Sequence, residues 1–146
     1  WPNDIYINDK KIGGILIENK LKGSLLASTV IGLGLNINQR NFLPDLPNPT
    51  SLLLETQKEE DTYAMIAAFC EHLERRYLQL KAGQYKALDQ DYLNTLYAYQ
   101  EWRMYKVADT ATLFRGKIIG ISPQGKLQIE TANELLEFYF KEVVFC

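Results

Sequence analysis

Cysteine and histidine are nearly missing from this chain of 146 residues. Cys70 and Cys146 are far apart and form no Cys-x-x-Cys pair, which excludes a disulfide framework and a zinc site of the usual spacing. The single histidine, His72, falls on the polar side of a helical pattern, three residues after Phe69 and four before Arg76. It reads as a solvated surface residue, and no nucleophilic triad can be assembled around it. Long apolar runs are also absent. None approaches the roughly 20 residues of a membrane helix, and no signal-peptide pattern opens the chain, so a cytoplasmic protein is expected. Charge of one sign does not accumulate either: 16 basic and 18 acidic residues leave a formal charge of −2, with no block of five like charges. The electrostatic footprint of a nucleic-acid or membrane binder is missing, so no nucleic acid and no membrane is expected as partner.

What is present is a 47% apolar composition with room for one domain or two small ones. Ile5-Tyr6-Ile7 and Ile12 to Glu18 read as antiparallel strands around an Asn8-Asp9-Lys10 turn, and Ser24 to Asn38 reads as a long third strand. Asn41 to Pro49 holds three of the five prolines and predicts a surface loop. Thr50-Ser51 predicts a cap for a short helix. Ile66, Phe69, Cys70, Leu73, Tyr77 and Leu80 recur at helical spacing in Asp61 to Lys81, and Leu88, Tyr92, Leu93 and Leu96 do so in a third helix at about Ala87 to Tyr97. From Met104 the texture changes to short β runs: Tyr105 to Val107, Ala111 to Phe114, Lys117 to Ile121, Lys126 to Thr131, and Leu135 to Phe145. Turns are expected at Arg115-Gly116, Ser122 to Gly125 and Ala132 to Glu134, and the spacing suggests a small SH3-like barrel.

Two stretches carry chemistry. In Ile31-Gly32-Leu33-Gly34-Leu35-Asn36-Ile37-Asn38, strand alternation puts Gly32, Gly34, Asn36 and Asn38 on one face and the aliphatic residues on the other. Glycines weaken a strand, so two on one face suggest that a ligand approaches the backbone. In the stretch from Trp1 to Gly14, Lys11 and Gly13 share a face by the same alternation, which places a cation beside an open surface.

Together Trp1-Pro2-Asn3-Asp4, Lys11-Ile12-Gly13-Gly14-Ile15-Leu16 and Gly32-x-Gly34-x-Asn36-x-Asn38 resemble the second half of the catalytic domain of biotin protein ligases. Lys-x-Gly-Gly or Gly-x-Gly alone would usually be an ordinary strand feature; three motifs in the family's order are specific. The similarity continues through Pro49-Thr50-Ser51-Leu52 to the β-rich tail, so it covers the whole chain. It implies an α+β fold: a partial mixed or antiparallel sheet with helices, of class II synthetase-like type, over residues 1–97, and an SH3-like C-terminal domain over 98–146. Lys141-Glu142-Val143 stands where the family commonly has Gly-Glu before Val or Ile. The resemblance further implies ATP-dependent formation of biotinyl-adenylate and transfer of biotin to a lysine of a carboxylase's biotin carboxyl carrier domain.

By the same resemblance Lys11 is the catalytic cation, Asn36 reads the adenine edge, and Gly13, Gly14, Gly32 and Gly34 floor the site. Asn3 and Asp4 lie near the phosphates, with Asp4 as catalytic contact to Mg²⁺ water or the incoming lysine; no metal ligand set is otherwise assigned. Lys10 is expected to be a turn residue. Trp1 and Pro2 are expected to pack, as are Tyr99, Trp102 and Tyr105, because basic residues around them looked too few for a base-stacking platform.

The chain opens at Trp1, inside a motif and without methionine. The resemblance implies a preceding half that carries a Gly-Arg-rich loop closing over biotin. This chain alone is then expected to be inactive, with an uncovered sheet that invites a homo-oligomer or a companion N-terminal fragment. Two other readings stand beside it: a lipoate or octanoate ligase-like enzyme, and a non-catalytic remnant that docks a partner.

Overall fold

A computed structural model describes residues 2–110 and 112–146; Trp1 and Ala111, which figure in the expectations above, lie outside the described residues. The chain divides into two compact units, Pro2–Leu73 and Glu74–Cys146. The whole is α+β, with two antiparallel sheets and three helices among the described residues.

In the first unit, β1 (Asp4–Ile7), β2 (Lys10–Lys22) and β3 (Leu25–Leu35) form a sheet in that order. The β1–β2 turn uses Asn8 at φ 55°, a left-handed conformation that asparagine tolerates better than most residues. Beyond Gly14 the β2–β3 ribbon runs on with Leu16, Ile17, Leu21, Leu25, Leu26, Val30 and Ile31 exposed. The core of this unit lies at the other end, where Ile12 and Leu53 are buried together with the polar Thr50 and Ser51. The short helix α1 (Leu52–Thr56) starts at Ser51, whose hydroxyl accepts from Leu54 N (3.2 Å) and donates to Gln39 O (2.6 Å). The third strand stops at Leu35 instead of continuing to Asn38. Asn36 N turns to Ile12 O (2.8 Å), while Leu52 N and Leu53 N bind the carbonyls of Asn36 and Ile37, so the chain there is committed to α1 instead of a ladder.

The helix α2 (Thr62–Lys81) begins where Asp61 Oδ1 accepts from Tyr63 N (2.8 Å) and Ala64 N (3.3 Å), the cap that its side chain suits. His72 is exposed on it. A third helix, α3, covers Tyr85–Thr95.

The second unit carries a five-stranded antiparallel sheet, β7-β6-β5-β4-β8, from β4 (Trp102–Val107), β5 (Leu113–Ile121), β6 (Leu127–Glu130), β7 (Leu135–Phe138) and β8 (Val143–Phe145). Its core holds Tyr105, Ile118, Leu127, Ile129, Phe138 and Val143. Three readings of the sequence are corrected here. Arg115-Gly116 is not a turn: β5 runs through it, and a side chain at 116 would collide with Ile129 and Glu130 O, so this glycine serves close packing of β5 on β6. Leu135 to Phe145 is two strands, not one, broken where Lys141 takes φ 65° and Glu142 N binds Tyr139 O. Tyr105 packs as expected, but Trp102 is 45% exposed, with Arg115 and Lys117 5.6 and 5.5 Å from its ring. The basic residues thought too few are there; they come from the neighbouring strand, which sequence spacing does not show.

Candidate active site

The β1–β2 ladder carries an irregularity that decides where the lysine points. Asp4 pairs with Gly14 and Ile5 with Gly13, but Tyr6 pairs with Lys11, so Ile12 is an extra residue on β2. Such a bulge shifts the alternation by one. Lys11 is thereby brought to the face of Asp4, Tyr6 and Gly14, where simple alternation grouped it with Gly13. Its ammonium forms an ion pair with Asp4, and both side chains are partly open to solvent. Asp4, Lys11 and burial act together on Tyr6: burial and then the Asp4 carboxylate raise its hydroxyl above the ordinary tyrosine range, and the Lys11 cation opposes them.

Lys11 is fixed from behind by a segment distant in sequence. Lys11 N donates to Asn48 O and Thr50 N donates to Lys11 O, each at 2.9 Å, which lays Pro49 beside the lysine as a short parallel bridge. The Asn36 side-chain amide donates to Thr50 O at 3.0 Å. Lys10, expected to be a turn residue, opens β2 and binds Glu55 Oε1 at 3.0 Å. Asn38, which shared a motif with Asn36, is absorbed structurally: its amide grips the Glu60 peptide at both ends, by 2.8 and 3.1 Å.

Lys11, Gly13, Gly14 and Asn36 line a cavity of about 340 Å³. The rest of its lining is apolar, from Phe42, Leu46, Pro47 and Pro49. The proline-rich loop was legible as a loop, yet nothing in its composition announced it as a wall. Four of the eight residues singled out from the sequence thus line one cavity, and Asp4 joins through Lys11. Asn3 contributes backbone, its carbonyl accepting from Ile15 N at 2.7 Å. Gly32 and Gly34 sit on the adjoining β3.

The four glycines are not alike. A Cβ at Gly13 would overlap Gly34 O and Leu35, and one at Gly14 would stand 3.3 Å from Asn3 O, so the protein's own backbone requires both. At Gly34 nothing lies within 4 Å, and at Gly32 only ordinary contact with Leu16 is made. The reading that a bare strand face admits a ligand therefore holds in space only for Gly32 and Gly34.

Chemically, the cavity offers one fixed cation, one amide and an apolar wall. Among the described residues no carboxylate lines it and no group of three His, Cys, Asp or Glu could cage a metal. A small anion carrying a flat apolar group suits such a lining.

Residues 1–36 match the Biotin/lipoate A/B protein ligase family. The bifunctional ligase/repressor BirA of Bacillus subtilis is 30% identical over 146 residues, covering 98% of this chain and 44% of that protein. Biotin--protein ligase 2 of Arabidopsis thaliana is 30% identical over 102 residues, 65% of this chain and 29% of that protein. Among solved structures, apo biotin protein ligase from Aquifex aeolicus matches the fold with a TM-score of 0.76 at 22% identity, over 100% of this chain and 63% of that one. The same enzyme in complex with biotin and ATP matches at 0.73 and 23%, over 99% of this chain and 59% of that one. The chain therefore spans less than half the length of the curated relatives, and over that span it is similar in sequence to biotin protein ligases and shares their fold.

Proposed function

We propose that this chain contributes the nucleotide side of a site that activates biotin with ATP and passes it to a lysine of a carboxylase's carrier domain. The observation that carries this reading is the cavity that Lys11, Gly13, Gly14 and Asn36 line together. In the activation step a biotin carboxylate oxygen attacks the α-phosphorus, the bond to the β-phosphate breaks, and pyrophosphate leaves. Negative charge concentrates where the two anions join. A fixed ammonium there favours the transition state over the ground state. In the second step the acceptor lysine attacks the acyl carbon, loses a proton, and AMP departs.

Asn36 suits adenine because one amide presents donor and acceptor side by side, and its Oδ1 and second N–H, which bind nothing among the described residues, supply both. Asp4 takes the role of contact to the incoming lysine or to Mg²⁺. One carboxylate with phosphate oxygens suffices for that ion, whose chemistry is to neutralise phosphate charge, and Asp4's present hold on Lys11 keeps it at the right place. Gly32 and Gly34 leave room on β3 for the ligand's continuation.

On this reading residues 1–97 form the second half of a catalytic domain and 98–146 an SH3-like domain. The cytoplasmic enzyme's biotin pocket is completed by chain beyond these residues, as a preceding half or a companion fragment, and the exposed apolar ribbon of β2 and β3 is the surface that it or a second copy covers. This chain alone is accordingly inactive: mixed with biotin and ATP it should release no pyrophosphate, and turnover at an enzyme's normal rate would overturn the proposal. Calorimetry with biotinyl-adenylate should give heat, where a docking module gives none, and biotin against lipoate separates the lipoate-type alternative. No helix among the described residues is long and apolar enough to cross a membrane.

A further inference from the structure

Thr50 is 1% exposed, and each of its polar groups leads to a different functional element. Its N–H binds Lys11 O at 2.9 Å, its carbonyl accepts the Asn36 amide at 3.0 Å, and its hydroxyl donates to Glu55 Oε1 at 2.5 Å. The same Glu55 oxygen takes Lys10 Nζ at 3.0 Å, on the residue next to Lys11. Glu55 stands on α1, its side chain only 15% exposed, and does not line the cavity. A single carboxylate oxygen thus ties the start of β2 and the residue that anchors both Lys11 and Asn36 to one helix.

We propose that Glu55 is a positioning residue: through Thr50 it sets the placement of the Lys11 backbone and of the Asn36 amide, and through Lys10 it holds the end of β2 from which Lys11 projects. This rests on the nucleotide reading of Lys11 and Asn36 given above. A buried hydroxyl that loses its acceptor is left unsatisfied, and the segment that it fixed is freed to rearrange. A charged acceptor shared by two donors holds more firmly than a neutral one.

The test uses this 146-residue chain, with amide hydrogen exchange by NMR and ATP binding by calorimetry. Glu55→Ala should speed exchange of the Thr50 and Lys11 amides about tenfold, leave Ile15 and Leu53 of the same unit within about twofold, and weaken ATP binding about tenfold. Glu55→Gln keeps an acceptor oxygen for Thr50 and should recover most of both. Should Glu55→Ala lose the fold of its unit, Thr50→Val carries the same test, since it deletes the hydroxyl and leaves the carboxylate. Exchange unchanged at Thr50 and Lys11, or accelerated equally at Leu53 and Ile15, overturns the proposal by showing no role or a merely structural one. If the unmodified chain takes up no ATP while the local exchange change appears, the nucleotide reading fails and the positioning stands. If it takes up ATP and the variants bind equally well, the positioning falls and the nucleotide reading stands.

Discussion

Lys11 reaches Asp4 because Ile12 is an extra residue in β2. The bulge buries Ile12, at 5% exposure, and in the same step turns the preceding lysine to the face of the aspartate. One aliphatic side chain entering the core thereby turns one cation of the cavity's lining to its carboxylate partner. With 42% and 31% side-chain exposure the pair is wet, and wet pairs contribute only about 0.2–1 kcal/mol to stability. Its value lies in orientation.

Lys11→Ala should therefore leave the fold unchanged and remove the charge that the proposed chemistry needs. In the full-length protein, adenylate formation measured by biotin-dependent pyrophosphate exchange should fall on the order of 100- to 1,000-fold, while thermal unfolding moves little. Retained activity would take Lys11 out of the mechanism.

Helices and strands were legible where local pattern governs them. The periodicity of Ile66 to Leu80 marked α2 to within a residue, and Asn8-Asp9 marked the first turn. The candidate site was legible as residues but not as geometry. Period-2 reasoning grouped Lys11 with Gly13, and only a ladder shows the bulge that regroups it. Lys10 looked like a turn residue because its partner, Glu55, is 45 positions away. Gly116 looked like a turn because glycine's two uses, left-handed backbone and close packing, share one letter.

The glycines can be told apart by substitution. Gly13→Ala drives a methyl group into Gly34 O and Leu35, and should cost about 1–3 kcal/mol as overpacking. Gly34→Ala meets open space, and should leave stability unchanged or raise it by roughly 0.5–1 kcal/mol through lost glycine entropy. If β3 floors a ligand site, Gly34→Ala should still weaken biotinyl-adenylate binding in calorimetry. A stable variant with full affinity would free Gly34 from any part in the site.

The Glu55 carboxyl is held below its ordinary value of 4.5, first by the Thr50 hydroxyl and then by Lys10. A depressed folded value means that the stabilisation is present above the unfolded value and is lost as pH falls through the folded one. Carbon-detected NMR titration should thus place the Glu55 midpoint below 4.5. Thr50→Val and Lys10→Met should each raise it, the first by removing the hydroxyl's hydrogen bond and the second by removing both a hydrogen bond and a neighbouring charge. A midpoint unmoved by either substitution would take that group out of the support of the carboxylate.

Tyr105 supplies the last expectation, in the second unit. It is fully buried, stacked 5.7 Å from Phe114 and edge-on 5.3 Å from Phe145, and its hydroxyl finds no partner among the described residues. Burial first, with smaller opposed effects of Arg103 and Glu101, pushes its ionisation up to about 12 from the ordinary 10.0. Because the folded value is the higher, the unit keeps this contribution below pH 10.0 and loses it progressively between there and about 12. The loss is on the order of 2 kcal/mol. Tyr105→Phe deletes the unsatisfied hydroxyl and keeps the ring contacts, so at neutral pH it should be neutral or stabilising by about 1 kcal/mol. It should also lessen the alkaline decline that urea unfolding followed from pH 9 to 12 detects in the parent, leaving the part due to Tyr6. A variant destabilised at neutral pH by more than about 1 kcal/mol would show that the hydroxyl has a partner, and would overturn this account of the core.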